Sequence, residues 1–324
     1  MIDRVAEQSP LGGLERWIHD PTIDEVLVNG GSDIWVERSG RLELVGRMRP
    51  ATLLAAIEQI LAPTGRRLDR THPTVDARLP DGARVCAAIE PVAVDGPCLA
   101  VRRFAPRPVP LAAFAVPLVA ELLGQIVRAR CNLVVSGATS AGKTTLLNAL
   151  AREAEPGARF VTLEDVAELN LTHAHVVRLE TRDATPDGVG EITLAHLLRT
   201  ALRLRPDRLV VGEIRGAEAV HLLQALNTGH DGSMATVHAN SATDALARLA
   251  SLVLHEAANW PLAAVHEHVS RAVDVVVHVA RGAAGARHVQ QVAEVCPTEP
   301  GRGLAVRVLA ERDRVLAPLT RART

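Results

Sequence analysis

A single lysine, Lys143, stands in a chain of 324 residues that carries 35 arginines. Its setting is the stretch GATSAGKTT, residues 137–145. An ammonium is a compact point charge on a flexible stem; a guanidinium is a wide planar fork that does not suit a tight backbone loop around a phosphate. The spacing Gly137-x4-Gly142-Lys143-Thr144 is that of a P-loop, and it lies between the apolar run NLVVS and the helix-forming KTTLLNALARE, the strand–loop–helix context such a loop requires. Gly137 and Gly142 permit backbone angles that a side chain would forbid. The N–H groups of Ala138, Thr139, Ser140, Ala141, Gly142, Lys143, Thr144 and Thr145 then face a phosphate at a helix N-terminus. Lys143 is expected to reach the β and γ phosphates of ATP, and the Thr144 hydroxyl to hold the bridging Mg2+.

A P-loop binds phosphate without cleaving it; hydrolysis needs a group that orients an attacking water. RLVVGEIRG ends an apolar strand at Gly212-Glu213, and strand ends of a doubly wound sheet open onto the ligand crevice. Glu213 is therefore the candidate general base, against the alternative of an acid facing solvent. VTLEDVAEL places Glu164, Asp165 and Glu168 at another strand end, where they suit waters around Mg2+. The same spacing equally fits a helix capped by Asp165 with Glu168 as capping-box partner. SMATVHANS puts His238 near a third strand end; lone histidines are commonly core or surface residues, and only this location argues for a functional one.

The elements that must position these groups fall into two patterns. Residues 1–103 read as an α+β module, with short antiparallel strands in IDEVLVNGGSDIWVERSGRLELV, a helix in PATLLAAIEQILAPTG and a hairpin in TVDARLPDGARVCAAI. The prolines of FAPRPVP, residues 104–110, read as a linker. Residues 111–324 read as an α/β domain: NLVVSG, RFVTLED, HVVRLE and DRLVVGE alternate with helical stretches, as a mostly parallel sheet requires. Beyond Pro261 a helix is followed by VDVVVHVARG, RHVQQVAEVC and GLAVRVLAE, expected to form an antiparallel edge.

Composition excludes several classes. PLAAFAVPLVAELLGQIV, broken by Pro117 and Glu121, is too short to span a bilayer, and MIDRVAEQSPLGG has no signal-peptide h-region, so a cytoplasmic location without a transmembrane segment is expected. Cys86, Cys98, Cys131 and Cys296 lack metal-ligand spacing and are expected to be reduced, buried thiols. A net charge of −1, no tyrosine, and three Phe and three Trp argue against direct nucleic-acid binding.

GATSAGKTTLLNAL, VTLEDVAEL, LRLRPDRLVVGEIRGAEA and LNTGHDGSMATVHANS resemble the Walker A, Asp, Walker B and His boxes of the type II/IV secretion ATPases. The CpaF-like branch that drives tight-adherence (Flp) pilus assembly is the nearest resemblance, extending through EVLVNGGSDIWVERSGRL, GRRLD, TVDARLPDGARV and VRRF. It implies a RecA-like P-loop domain, a homo-hexamer holding ATP between its N- and C-terminal domains, and work on inner-membrane platform proteins from the cytoplasmic face. It implies further that Glu168, with Glu164, belongs to the magnesium shell, that Glu213 is catalytic and that His238 lies near the γ-phosphate. Arg84, Arg102 and Arg103 resemble positions that touch nucleotide; Arg199 and Arg203, four apart on one helical face, are further arginine candidates. A conjugative DNA-transfer ATPase would share every box, and a RecA-like DNA-dependent ATPase is the alternative of another class. The chain departs from the usual TGSGKT at Ser140 and Ala141, and Gly212 stands where many P-loop enzymes have an aspartate.

Overall fold

The computed structural model describes residues 3–4, 9, 11–30, 33–38, 40–103, 109–182, 184, 188–282, 285–298 and 303–323. The chain divides into two compact units, Met1–Arg107 and Pro108–Thr324. Of the linker expected at 104–110, residues 104–108 lie outside the described residues, as do Gly31 and Ser39 of the expected turns.

The first unit runs β1 (Asp3–Arg4), α1 (Glu15–Ile18), β2 (Glu25–Asn29), β3 (Asp33–Arg38), β4 (Arg41–Arg47), α2 (Pro50–Leu61), β5 (Thr74–Arg78), β6 (Arg84–Ala88) and β7 (Cys98–Arg102). Its sheet has the order β1-β4-β3-β2-β7-β6-β5, antiparallel except where β1 meets β4. Period-two patterning sends Val26, Val28, Ile34 and Val36 to one buried face. Pro50 starts α2 after an extended Arg49, the conformation proline favours in its predecessor. Leu53, Ala56, Ile57, Ile60 and Leu61, one helical stripe, fill that face.

The second unit comprises α3 (Pro117–Arg128), β8 (Leu133–Gly137), α4 (Lys143–Ala151), β9 (Phe160–Glu164), β10 (Val176–Glu180), α5 (Leu194–Ala201), β11 (Arg208–Ile214), α6 (Glu218–Leu226), β12 (Met234–His238), α7 (Ala242–Glu256), α8 (Leu262–Ala272), β13 (Val275–Arg281), β14 (Arg287–Val295), β15 (Val306–Glu311) and β16 (Arg314–Val315). Sheet order is β10-β9-β11-β12-β8-β13-β14-β15-β16. β8 and β9 are buried along their whole length, as strands covered on both faces must be. Helices α3 and α4 cover one face and α5 to α8 the other.

Two expectations are corrected. VDVVVHVARG is not antiparallel to the main sheet: β13 runs parallel to β8, and the direction reverses only at β14. Helices α7 and α8 return the chain to the end at which β8 enters, making a crossover rather than a hairpin; the apolar run reads alike in either case. Of the four cysteines only Cys131 is buried; Cys86 is exposed, and Cys98 and Cys296 are half-buried. No helix among the described residues is long and apolar enough to cross a membrane.

The parallel strands are fixed at their entry end by Asp274, 1 % exposed. It accepts from Asn132 N at 2.8 Å and pairs with Arg321 Nε at 3.2 Å and Arg323 Nε at 2.6 Å. Both arginines also donate to carbonyls at helix ends, Ser270 O and Leu226 O, binding residues 321–323 beneath β8 and β13. Asp274→Ala takes the carboxylate from Arg321 and leaves Arg323 with Asp231 alone. It is expected to lower stability by about 3 kcal/mol, read as a drop in the urea midpoint.

Candidate nucleotide-binding and hydrolysis site

The exit ends of β8, β9, β11 and β12 carry the chemical residues. β12 pairs with β8 in a register that sets His238 opposite Gly137. β11 pairs with β12 on one side and β9 on the other, which brings Glu213 and Glu164 to the same end of the sheet. The P-loop turns out of β8 at Gly137, where an added Cβ would lie 2.5 Å from Val279 O. It enters α4 through Gly142 at φ +97°, where a Cβ would lie 2.6 Å from Arg287 Cδ. Ser140, at the usual glycine position, is held at φ +60°. A serine there costs about 1 kcal/mol in backbone strain, and the loop closes nonetheless.

Lys143 is 8 % exposed and folds back over the loop. Its Nζ donates to Gly137 O at 3.2 Å and Ala138 O at 3.1 Å, and lies 3.2 Å from Nε2 and 3.4 Å from Nδ1 of His238. Burial pulls the ammonium below its ordinary value; the carboxylates of Glu213 and Glu168 oppose that. His238 Nε2 stands 2.7 Å from Glu213 Oε1. Burial and the neighbouring Lys143 charge push the imidazole downward, toward its neutral form. Glu213 Oε1 nonetheless has no hydrogen-bond partner, so the 2.7 Å approach is a close contact and not a hydrogen bond. Lys143, His238 and Glu213 therefore form one contact chain from loop to carboxylate.

Glu164, 3 % exposed, takes a different role from Glu213. Its Oε1 accepts from Glu168 N and Leu169 N, both at 2.8 Å, while its buried Oε2 has no hydrogen-bond partner. Burial raises the carboxyl to about 7, against the lowering effect of those two N–H groups. No helix follows β9 before Val176, so the capping reading of Asp165 and Glu168 falls; the residue that accepts from the turn is Glu164. Glu164 also explains Gly212: a Cβ there would meet Glu164 Cγ at 2.8 Å, so the space of a β11 aspartate is already filled by a β9 carboxylate. Glu164 Oε2 is thus a buried carboxylate oxygen without a partner, and no group of three or more His, Cys, Asp or Glu among the described residues is placed to hold a metal ion.

The arginine candidates are dispersed. Arg199 on α5 meets His221 of α6 at 3.3 Å and, with Arg203, His196, Thr200 and Leu204, lines a surface depression of about 340 Å3 whose lining includes no P-loop residue. Arg84 and Arg102 are directly paired across β6 and β7, and Arg103 donates to Asp20 O, all within the first unit. Two arginines that sequence reasoning passed over lie at the site. Arg215 pairs with Glu213 and stands 3.7 Å from Asp165. Arg287 covers Gly142 and donates to Thr145 Oγ1 at 3.4 Å. The only sequence signal for Arg215 is its place in GEIRG; Arg287 had none, being 144 residues beyond Lys143.

The chain belongs to the type II/IV secretion system protein family, which matches residues 7–307. It is 41 % identical over 315 residues to a putative conjugal transfer protein of Mycobacterium tuberculosis, covering 93 % of this chain and 89 % of that one. It is 34 % identical over 287 residues to the conjugal transfer protein TrbB of Rhizobium radiobacter, covering 86 % and 85 %. The X-ray structure of the Legionella pneumophila ATPase DotB superimposes with a TM-score of 0.62 over 90 % of this chain and 82 % of that one, at 20 % identity, a likeness of fold. The fold is thus the RecA-like P-loop fold in the second unit, accompanied by a smaller α+β unit.

Glu164 supplies a pH test. Its carboxyl holds a proton in the folded chain up to about pH 7 but only to about 4.5 when unfolded. Between those values the folded state binds more protons, so stability falls as pH rises. In metal-free buffer, Glu164→Gln is expected to remove that fall and to be more stable than wild type at pH 8, by at most about 3 kcal/mol. Denaturant midpoints at pH 5 and pH 8 check it; parallel wild-type and variant profiles would refute it.

Proposed function

We propose that this chain is the ATP-hydrolysing motor subunit of a type II/IV secretion apparatus. The observation that carries the reading is the contact chain from the P-loop lysine through His238 to Glu213. The loop N–H groups and Lys143 bind the β and γ phosphates, and the lysine exchanges its present acceptors, two loop carbonyls and an imidazole, for phosphate oxygens. His238, released from Lys143, is left beside the γ-phosphate. Glu213 then orients the attacking water and takes its proton. Thr144, Glu164 and Glu168 would hold Mg2+, which would supply positive charge against the phosphates.

Further parts of the proposal rest on resemblance: a homo-hexamer, acting from the cytoplasmic face on polytopic inner-membrane platform proteins, with nucleotide contacts from Arg84, Arg102, Arg103, Arg199 and Arg203. The motif pattern favours the tight-adherence pilus. The names of the relatives, conjugal transfer proteins in Mycobacterium and Rhizobium, support a second reading, a motor for DNA transfer. Deleting the gene in its host separates the two: loss of surface pili with intact plasmid transfer supports the first, and the reverse supports the second.

The chemistry is tested with purified protein. Glu213→Gln is expected to bind ATP normally and to lose turnover by about 10²–10⁴-fold, whereas Lys143→Ala loses nucleotide binding. Wild-type turnover in either variant would disprove the assignment.

A further inference from the structure

Arg215 lies two residues beyond Glu213, where β11 gives way to the turn before α6. Its backbone is pinned from behind: the buried Glu218, in the first turn of α6, accepts from Arg215 N and from Gly216 N. The side chain reaches forward and is 64 % exposed, so packing does not place it. Its partners do. One guanidinium nitrogen meets Glu213 Oε2, and the other stands 3.7 Å from Asp165 Oδ2. The hydrogen bond to Glu213 lifts the guanidinium above its ordinary value. One planar group therefore spans the exit of β11 and the loop after β9, the two places where the site's carboxylates stand.

The consequence concerns how Glu213 is aimed. A glutamate has three side-chain torsions, and a carboxylate that orients water is effective only when its rotamer is fixed. Arg215 takes Oε2. Oε1 is thereby turned toward His238, 2.7 Å away, and through it toward Lys143. We infer that Arg215 is a positioning residue for hydrolysis, holding Glu213 with Oε1 toward the phosphate-binding lysine and tying that orientation to the Asp165 loop that follows Glu164 and carries Glu168. This rests on the ATPase reading above. A lysine at this position is a point charge and cannot bridge two carboxylates with one rigid fork.

Steady-state ATPase kinetics, ADP affinity and chemical rescue test the inference together. Arg215→Ala is expected to lower kcat by about 10- to 100-fold, the loss of one charge-assisted hydrogen bond at the reacting group. The KM for ATP and the Kd for ADP stay within about threefold, since ground-state binding is untouched. Arg215→Lys retains an intermediate kcat. Methylguanidinium added to Arg215→Ala restores part of kcat in a saturable way, and does nothing for Glu213→Gln. A purely structural arginine would produce none of that rescue. An unchanged kcat in Arg215→Ala, a loss confined to KM and Kd, or absence of rescue overturns the inference while leaving the ATPase reading intact, provided wild type hydrolyses ATP. A wild type without turnover removes both.

Discussion

The position of one ammonium group organises the rest of the site. Lys143 Nζ has three hydrogens to donate, and two loop carbonyls and the His238 ring receive them. That arrangement requires β12 beside β8 with His238 opposite Gly137, so the sheet register is as much a part of the site as the loop. It also requires the loop to pass close to its neighbours. Val279 O leaves no room for a Cβ at Gly137, and Arg287 leaves none at Gly142. A glycine-bounded loop at a helix N-terminus is where an anion is favoured.

The acidic residues divide the work by environment. Glu213 lies among Arg215, His238 and Lys143 at the open end of the sheet. Glu164 is enclosed, with one oxygen held by the turn after β9 and the other facing nothing that satisfies it. Its raised carboxyl is the price of that burial, and a bound divalent cation would lower it. Gly212 belongs to the same logic. The carboxylate stands on β9, and the glycine of β11 is the space into which it packs. The enclosed carboxylate and the one that meets His238 thus sit on separate strands, and the Arg215 guanidinium reaches from Glu213 to Asp165 in the loop after β9.

What the sequence showed depended on how local the signal was. The P-loop is contiguous, its glycines and lysine are adjacent in the chain, and the strand and helix that flank it are β8 and α4. Glu213 and His238 were legible because apolar strands end on them, which is a local pattern with a general consequence for where they point. Contacts between distant segments left no such pattern. Nothing in ARHVQQ announces that Arg287 lies across Gly142, and the direction of β13 is decided by α7 and α8 rather than by its own residues. The Asp165 capping reading failed because spacing alone cannot distinguish a helix start from an irregular turn, and here Glu164, one residue earlier, accepts the N–H groups. Arg199 on α5 and Arg203 in the 3-10 turn that follows it line one depression beside α6.

The central claim is that Lys143 surrenders its present acceptors to the terminal phosphates of a nucleotide. A crystal structure with Mg2+ and a non-hydrolysable ATP analogue tests it most directly. The account predicts β and γ phosphate oxygens within hydrogen-bonding distance of Lys143 Nζ and of the N–H groups of residues 138–145, with His238 no longer in contact with the lysine. A complex in which the triphosphate lies elsewhere, and the Lys143–His238 contact persists, would contradict it.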